Sequence, residues 1–157
     1  MQKKISIKVN NQKKVLDFLR RSQQLSISEI SEFAMVSKPT VKKIIDFYIE
    51  KGIVLEAVKG KSTEEGGKKP ALFIFNKDYG CVLSIHLGPD FVYGVVTDLH
   101  GDIVHSLYSS LDTKDFDEIF ELVVSTIRDL AGRINTKETN LLGLSLALPG
   151  VVDVSNG

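Results

Sequence analysis

Residues 37–52 read SKPTVKKIIDFYIEKG, and the apolar side chains in this stretch recur at helical spacing. They occupy positions i, i+3, i+4, i+7 and i+8, which predicts a helix with one buried face. The residues on that face are Val41, Ile44, Ile45, Tyr48 and Ile49. Pro39 fits the first turn, because its missing N–H would have no partner within the helix there. Gly52 predicts the end of the helix, since glycine readily adopts the left-handed conformation that terminates helices.

Two shorter helical patterns precede this helix. Residues 11–22 carry an apolar stripe with basic side chains around it, which predicts a supporting helix. Ser28 stands just before a second apolar pattern, so we expect it to cap a helix that runs to about Met35. Ser37 offers a cap for the helix that follows. The chain is therefore predicted to begin with three helices, the last two joined by a tight turn.

Two β-prone runs follow the third helix. Residues 53–58 read IVLEAV and residues 72–75 read LFIF, and both patterns favour strands. The loop between them is rich in glycine and lysine and includes Lys68 and Lys69. Three helices, a strand, a loop and a strand are the order of a winged helix-turn-helix. A basic loop tip in this position suits contact with phosphates or the minor groove.

The exposed residues at the start of the third helix are the candidate DNA-binding residues. With the apolar face packed inward, this end presents Lys38, Pro39, Thr40, Lys42 and Lys43. The corresponding positions enter the major groove in this architecture. The lysines suit bases or phosphates and the threonine hydroxyl suits a phosphate, so base and backbone contacts both stay open. The alternative is a small helical module for protein partners, with the lysines keeping it soluble.

Charge divides the chain into two halves of opposite sign. The whole chain is neutral, with 20 basic and 20 acidic side chains. Residues 1–70 carry 15 Lys and Arg against 8 Asp and Glu, a net charge of +7. Residues 71–157 carry 5 against 12, a net charge of −7. A basic half fused to an acidic half indicates that the two halves face different partners.

The composition, 43% hydrophobic and 25% charged, is that of a soluble globular protein. A lone cysteine, Cys81, forms no internal disulfide, so we expect a buried structural thiol in a reducing compartment. The basic start lacks the apolar core of a signal peptide, and the most apolar stretch, residues 141–152, is too short and interrupted to span a membrane. His100 and His105 flank a turn without further ligands. We therefore predict a cytoplasmic protein with no metal and no cofactor.

The acidic half is predicted to form a mixed α/β unit. Three β-prone segments, a long helical pattern and a further strand follow one another at residues 81–87, 91–97, 103–109, 116–134 and 141–148. The order β-β-β-α-β opens the ribonuclease-H-like lobe shared by sugar kinases and actin. The predicted fold class is therefore α+β and α/β. Residues 1–75 form a winged helix-turn-helix domain, and residues 76–157 form part of a ribonuclease-H-like lobe.

Several short motifs follow one another in a characteristic order. They are Ser37-Lys38-Pro39-Thr40-Val41, Glu50-Lys51-Gly52-Ile53-Val54, Gly66-Gly67-Lys68-Lys69-Pro70, Leu87-Gly88 and Pro149-Gly150-Val151-Val152-Asp153. In this order they resemble the ROK family of bacterial transcriptional repressors, from about Asn11 to the last residue. The resemblance implies a repressor of carbohydrate-metabolism genes that forms homo-oligomers, binds a double-stranded DNA operator and responds to a sugar or sugar phosphate. It also implies that the zinc motif, the catalytic aspartate and the residues that grip the sugar lie beyond Gly157, so that the chain is a fragment or a truncated product.

Two departures from the family pattern bear on this interpretation. The second helix and its turn have Ser31 and Met35 where the family has a small residue and then a glycine. Where ROK kinases have Asp-Leu-Gly-Gly-Thr, this chain has His86-Leu87-Gly88-Pro89-Asp90. An imidazole replaces a metal-facing carboxylate, and the proline removes one phosphate-binding N–H. Gly88, Pro89 and Asp90 thus form a degenerate phosphate turn, and we expect no enzyme activity.

Three functions remain open at this point. The first is a repressor whose effector lobe senses a sugar and alters the spacing of two DNA-reading heads in a dimer. The second is a ROK sugar kinase with an added DNA-binding-like domain, which His86 and Pro89 disfavour. The third is a lobe that serves only for dimerisation. His86 is expected to be structural rather than a catalytic base, and Gly150 is either close to a sugar hydroxyl or a turn glycine.

Overall fold

The computed structural model describes residues 2–57 and 70–150. The chain divides into two compact units, Met1–Asn76 and Lys77–Gly157. Both mix helices with strands, so the coarse α+β class is that predicted. No helix in the described ranges is long and apolar enough to cross a membrane.

Three helices open the first unit. They are α1 (Gln2–Arg21), α2 (Ile27–Ala34) and α3 (Lys38–Glu50). Helix α1 starts well before the predicted residue 11, because the preceding residues contain neither glycine nor proline to stop a helix. The apolar stripe used for the prediction marks only the part of α1 that packs against the core.

The start of α2 is set by Ser26, so the prediction that Ser28 caps this helix is wrong. The Ser26 hydroxyl accepts the backbone N–H of Glu29 at 3.3 Å, and the Glu29 carboxylate accepts the backbone N–H of Ser26 at 2.7 Å. This reciprocal arrangement requires a glutamate three residues after the cap. Ser26 meets the requirement, whereas the residue three positions after Ser28 is Ser31. The backbone N–H of Ser26 and its hydroxyl both donate to the Glu29 carboxylate, and these two hydrogen bonds lower the pKa of that carboxyl.

The turn between α2 and α3 contains a non-glycine residue in the left-handed conformation. Met35 has φ of 54° and its side chain is 91% exposed. The backbone N–H of Val36 donates to the carbonyl of Ser31 at 3.1 Å, and the Ser31 hydroxyl donates to the carbonyl of Val36 at 2.7 Å. This pair of hydrogen bonds closes the turn without the glycine of the family pattern.

Helix α3 keeps the predicted buried face with one exception. Val41, Ile44, Ile45 and Tyr48 are buried, but Ile49 is 38% exposed. Ile49 is the last residue of the apolar pattern and lies at the edge of the buried face, because successive residues of a helix turn by about 100°. Ser37 precedes the helix, yet its side chain makes no capping bond to a backbone N–H. Gly52 has φ of 74° just beyond the end of the helix, as predicted.

A small antiparallel sheet completes the first unit. Its strands are β1 (Leu25–Ser26), β2 (Val54–Glu56) and β3 (Leu72–Phe75), in the order β1-β3-β2. Strand β2 covers three of the predicted residues 53–57, and residue 58, the last of the predicted run, lies outside the described residues. Val54 and Phe73 bring the sheet into a core shared with the three helices.

The second unit is a four-stranded sheet with one helix on it. Its elements are β4 (Gly80–Leu87), β5 (Phe91–Asp98), β6 (Ile103–Ser110), α4 (Phe116–Gly132) and β7 (Asn140–Ala147), and the strand order is β6-β5-β4-β7. Strands β4, β5 and β6 are antiparallel neighbours, whereas β7 pairs parallel to β4. A parallel neighbour needs a crossover connection, and α4 provides it. The Asp115 carboxylate caps α4 by accepting two backbone N–H groups.

Helix α4 packs against the middle of this sheet. Its buried Val123 and Leu130 join Leu83, Ile85 and Val96 in the core. Gly94 permits this approach, since a Cβ atom there would come within 2.5 Å of the side chain of Leu130. Strand β7 is exposed along its whole length.

Candidate nucleic-acid interface

The start of α3 exposes the predicted basic residues. Lys38, Pro39, Lys42 and Lys43 are exposed, and Thr40 is half-buried. Their orientation follows from the core, because Val41 and Ile45 are fully buried and fix the rotation of the helix. The predicted residues of α3 therefore lie together on its first two turns.

One of these lysines has a partner that the sequence analysis missed. The Nζ atom of Lys42 lies 3.1 Å from Oδ2 of Asp46, and both side chains are well exposed. Opposite charges four residues apart meet on a helix surface, so this pair could have been predicted from spacing alone. An exposed pair of this kind is weak and exchanges readily with solvent or with another anion.

The other two lysines of α3 have no ion-pair partner in the part of the chain that the structure describes. Among the described residues, no carboxylate lies within ion-pair distance of Lys38 or Lys43. The carboxylates on the exposed side of the helix, Asp46 and Glu50, come later in it. Positive charge is thus concentrated on the first turns of α3, and negative charge on the last.

The hydroxyl of Thr40 belongs to a small polar pair. Its Oγ1 atom lies 2.9 Å from the Ser37 Oγ atom, and either hydroxyl can donate. Ser37 is exposed and Thr40 half-buried, so the pair is open to solvent. Two adjacent hydroxyls offer a further hydrogen-bond donor to an anion that approaches Lys43.

The predicted wing is described only at its base. Lys68 and Lys69 lie outside the described residues. Strands β2 and β3 flank that loop, with Val54 paired to Phe75 and Glu56 to Phe73. The backbone N–H of Ala57 donates to the carbonyl of Leu72 at 2.8 Å, which extends the ladder by one step beyond β2.

In the second unit, the turn between β4 and β5 is closed by a hydrogen bond within the hairpin. The backbone N–H of Gly88 donates to the carbonyl of Phe91 at 2.8 Å, and Pro89 has no N–H to offer. The exposed imidazole of His86 packs edge-on against the ring of Phe91, with 5.1 Å between the ring centres. Asp90 is exposed. The turn is thus held by local contacts.

Gly150 lies in open space at the end of the described chain. Its φ is 154°, and a Cβ atom added there would meet no atom within 4 Å. The conformation is one that residues other than glycine rarely adopt. The sugar-proximal role expected for Gly150 stays a prediction.

Charged groups of the second unit are paired at the opposite end of the sheet. Lys77 Nζ lies 2.9 Å from Oδ2 of Asp98, which is 6% exposed, and 3.5 Å from Asp102. Burial acts to raise the pKa of the Asp98 carboxyl. The hydrogen bond from Lys77, the backbone N–H groups of Asp102 and His100 and the charge of Lys77 outweigh it and lower this pKa. Asp98 thus stays ionised as a structural anchor.

The described residues hold no group of three His, Cys, Asp or Glu side chains that could bind a metal ion. Cys81 is buried, as predicted, and burial raises the pKa of its thiol. A raised thiol pKa reduces the thiolate fraction and hence the reactivity of the cysteine. Cys81 is therefore suited to a structural place in the sheet.

Comparisons with known proteins give relatives of one kind. The chain is 27% identical over 147 residues to the xylose repressor of Bacillus subtilis, covering 94% of this chain and 38% of that protein. It is 29% identical over 143 residues to the xylose repressor of Staphylococcus xylosus, covering 91% of this chain and 37% of that protein. The chain therefore spans less than two fifths of the length of these relatives. No protein-family model matches it.

A solved structure has the same fold. It is described as a ROK family transcriptional regulator, a homolog of the E. coli MLC protein. The match has a TM-score of 0.69 at 18% sequence identity and covers 96% of this chain and 38% of the other. Relatives named as repressors and a ROK regulator of the same fold together confirm that the chain resembles the ROK family of repressors.

Proposed function

We propose that this chain is the DNA-binding part, with a portion of the effector domain, of a sugar-responsive transcriptional repressor. Residues 1–75 act as a winged helix-turn-helix that binds a double-stranded operator, and residues 76–157 belong to a ribonuclease-H-like effector domain. The observation that carries the proposal is the exposed basic start of α3, where Lys38 and Lys43 have no carboxylate partner among the described residues. The names of the relatives support a role in sugar-controlled transcription.

The proposed DNA-contacting residues fall into groups according to the side chains around them. Lys43 and the hydroxyls of Ser37 and Thr40 form one group suited to a phosphate. Lys42 reaches the duplex by exchanging its contact with Asp46 for one with DNA. Pro39 places the backbone of the first turn close to the duplex, because it fixes the start of the helix. Lys68 and Lys69 in the wing contribute further phosphate contacts.

Fluorescence anisotropy with labelled duplex DNA tests this proposal. An operator is first selected from a library of random duplexes, and its affinity is measured over a range of salt concentrations. Lys43→Gln should lower the slope of log K against log salt by about 0.9, because one phosphate contact is lost. Lys51→Gln serves as the matched control at the other end of the helix, where Lys51 is exposed but follows the acidic turns. Absence of DNA binding by the unaltered chain at low salt would refute the proposal.

The sugar response is a separate arm of the same experiment. Xylose is the first sugar to test, since the relatives are named xylose repressors. Titration of xylose, with glucose as the comparison, into the protein–DNA complex should lower the anisotropy if an effector site is present. A complex unaffected by both sugars would leave the DNA-binding proposal in place and would show that residues 1–157 by themselves do not respond to these sugars.

We propose no kinase activity for the chain. The Gly88 N–H is engaged within its hairpin and Pro89 has none, so this turn offers few donors to nucleotide phosphates. The proposal would be wrong if sugar-dependent ATP turnover were detected. The exposed strand β7 favours self-association through the second unit, and sedimentation at two protein concentrations tests the expected homo-oligomer.

A further inference from the structure

A groove of about 410 Å³ runs between the first and third helices. Its lining residues come from α1, with Ile7, Lys8, Asn11 and Gln12, and from α3, with Thr40, Lys43, Ile44 and Phe47. Two of these, Thr40 and Lys43, belong to the basic start of α3 described above. The groove thus extends the candidate interface onto a helix to which the sequence analysis assigned only a supporting role.

The position of α1 beside α3 is fixed by the core. The hydroxyl of Tyr48 donates to the carbonyl of Gln12 at 3.2 Å, and Val15 is fully buried between the helices. Lys8 stands four residues, about one helical turn, before Gln12 and therefore lies on the same side of α1. The exposed Lys8 side chain is held at the mouth of the groove by this anchored turn.

The ionisable side chains that line the groove, among the described residues, both carry positive charge. Lys8 and Lys43 are its ionisable lining residues, and neither has an ion-pair partner among the described residues. The acidic residue of α1, Asp17, lies more than two turns away and pairs with Arg21 at 3.1 Å. Amides of Asn11 and Gln12 and the hydroxyl of Thr40 add neutral donors. Such a set of donors suits an anion that reaches both lysines.

The floor of the groove is apolar and partly open. Ile7 is 56% exposed and Phe47 is 41% exposed, while Ile44 is buried beneath them. Deoxyribose rings present C–H groups on either side of each phosphate, so a DNA backbone offers apolar surface as well as charge. The backbone of one duplex strand therefore suits both the apolar floor of the groove and the two lysines that line it.

We infer that the groove between α1 and α3 is a second backbone-contact site for the duplex that α3 binds, with Lys8 and Lys43 holding one strand. The inference rests on the proposed function and extends it to α1. A phosphate lies between the two ammonium groups, and the adjoining sugars pack on Ile7 and Phe47. Contacts of this kind fix the register of a protein on DNA without reading its sequence.

Anisotropy titrations with a fluorescein-labelled duplex of mixed sequence test the site, because a phosphate contact does not depend on sequence. Lys8→Gln removes the charge, and Lys8→Arg retains it. Lys13→Gln is the matched control, since Lys13 is exposed on the same helix but is not among the residues that line this groove. All four proteins are compared by circular dichroism, which should be unchanged because both lysines are exposed.

Lys8→Gln should weaken binding by about twofold to fivefold at moderate salt. The slope of log K against log salt should fall by about 0.9, while Lys8→Arg and Lys13→Gln keep the slope of the unaltered chain. Equal losses from Lys8→Gln and Lys13→Gln would show a diffuse charge effect and overturn the inference. Binding that Lys43→Gln weakens but Lys8→Gln leaves intact would overturn the inference and keep the proposed function. An unaltered chain that binds no DNA would overturn both.

Discussion

The two units close their cores to different degrees. In the first unit, three helices and a small sheet enclose a core in which Val15, Ile30 and Ile45 have no exposed surface. In the second unit, one helix covers the middle of the sheet, while Leu144 and Leu146 on β7 stay at least 50% exposed. The difference teaches that the first unit closes the centre of its core between helices and sheet, whereas the second leaves a whole strand with apolar surface available to further protein.

The two units also use their charges differently. Lys38, Lys43 and Lys8 have no carboxylate partner among the described residues, so they are available to an external anion. In the second unit, Lys77 is paired with Asp98 and Asp102 at one end of the strands. Lysines without an ion-pair partner among the described residues are therefore exposed in the first unit, whereas Lys77 in the second unit is engaged in internal ion pairs.

Core truncation in the first unit is the largest expected effect. Ile45→Ala should lower the free energy of unfolding of this unit by about 2–5 kcal/mol, because it leaves a cavity in a closed core. Ile49→Ala, one turn further along the same helix and 38% exposed, should cost much less. Amide hydrogen exchange measured residue by residue reports each unit separately. Equal effects of the two substitutions would show that the core of the first unit is not closed as described.

Added volume in the second unit should distinguish its covered part from its open part. Gly94→Ala places a methyl group within 2.5 Å of Leu130 and 2.8 Å of Thr126, both of them buried. Overpacking of this kind costs about 1–3 kcal/mol. The control is Gly143→Ala in β7, where a methyl group meets nothing within 4 Å. Urea denaturation should show a lower midpoint for Gly94→Ala but not for Gly143→Ala. A comparable decrease for Gly143→Ala would show that β7 is covered by other protein.

Acid should weaken the second unit through Asp98. Its carboxyl pKa is lower than the ordinary value of 3.8, so the unfolded chain takes up the proton first as the pH falls. The stabilisation by Asp98 is complete above that ordinary pKa and is lost as the pH falls through the lower folded value. Asp98→Asn should cost about 1–2 kcal/mol at neutral pH. It should also reduce the decrease in the free energy of unfolding, measured by urea denaturation, that the unaltered chain shows in acid.

The control for this prediction is Asp102→Asn. Asp102 is 72% exposed and lies farther from Lys77, so its charge contributes little. The backbone N–H that Asp102 donates to Asp98 is retained in this variant. If Asp98→Asn loses as much stability in acid as the unaltered chain does, Asp98 does not control the pH dependence.

Features that depend on neighbouring residues in the chain were predicted well. The buried face of α3, the terminating Gly52 and the bounds of β3 follow from periodicity and backbone preference. The cap at Ser26 was missed although its signal, a serine followed by a glutamate three residues later, is present in the sequence. The contact between Lys42 and Asp46 was also predictable from their spacing of four residues. These omissions concern local patterns that were overlooked.

Features that join distant segments needed the tertiary structure. The groove between α1 and α3 exists because Tyr48 reaches Gln12 across 36 positions of sequence, and no local pattern signals that contact. The same holds for β7, which pairs with β4 through Ser84 and Ser145, 61 positions apart. Apolar residues of β7 predict a strand but not which neighbour it takes or how much of it is covered.

The sequence by itself therefore determined the order of the helices, the strands other than β1, the opposite charges of the two halves and the basic start of α3. Local backbone preferences and hydrophobic periodicity act over a few residues, which is why they can be recognised without the fold. Only the tertiary structure decided that Lys8 and Lys43 line one groove and that β7 is left open. Those relations depend on which surfaces meet when the core packs, and packing couples residues far apart in the chain.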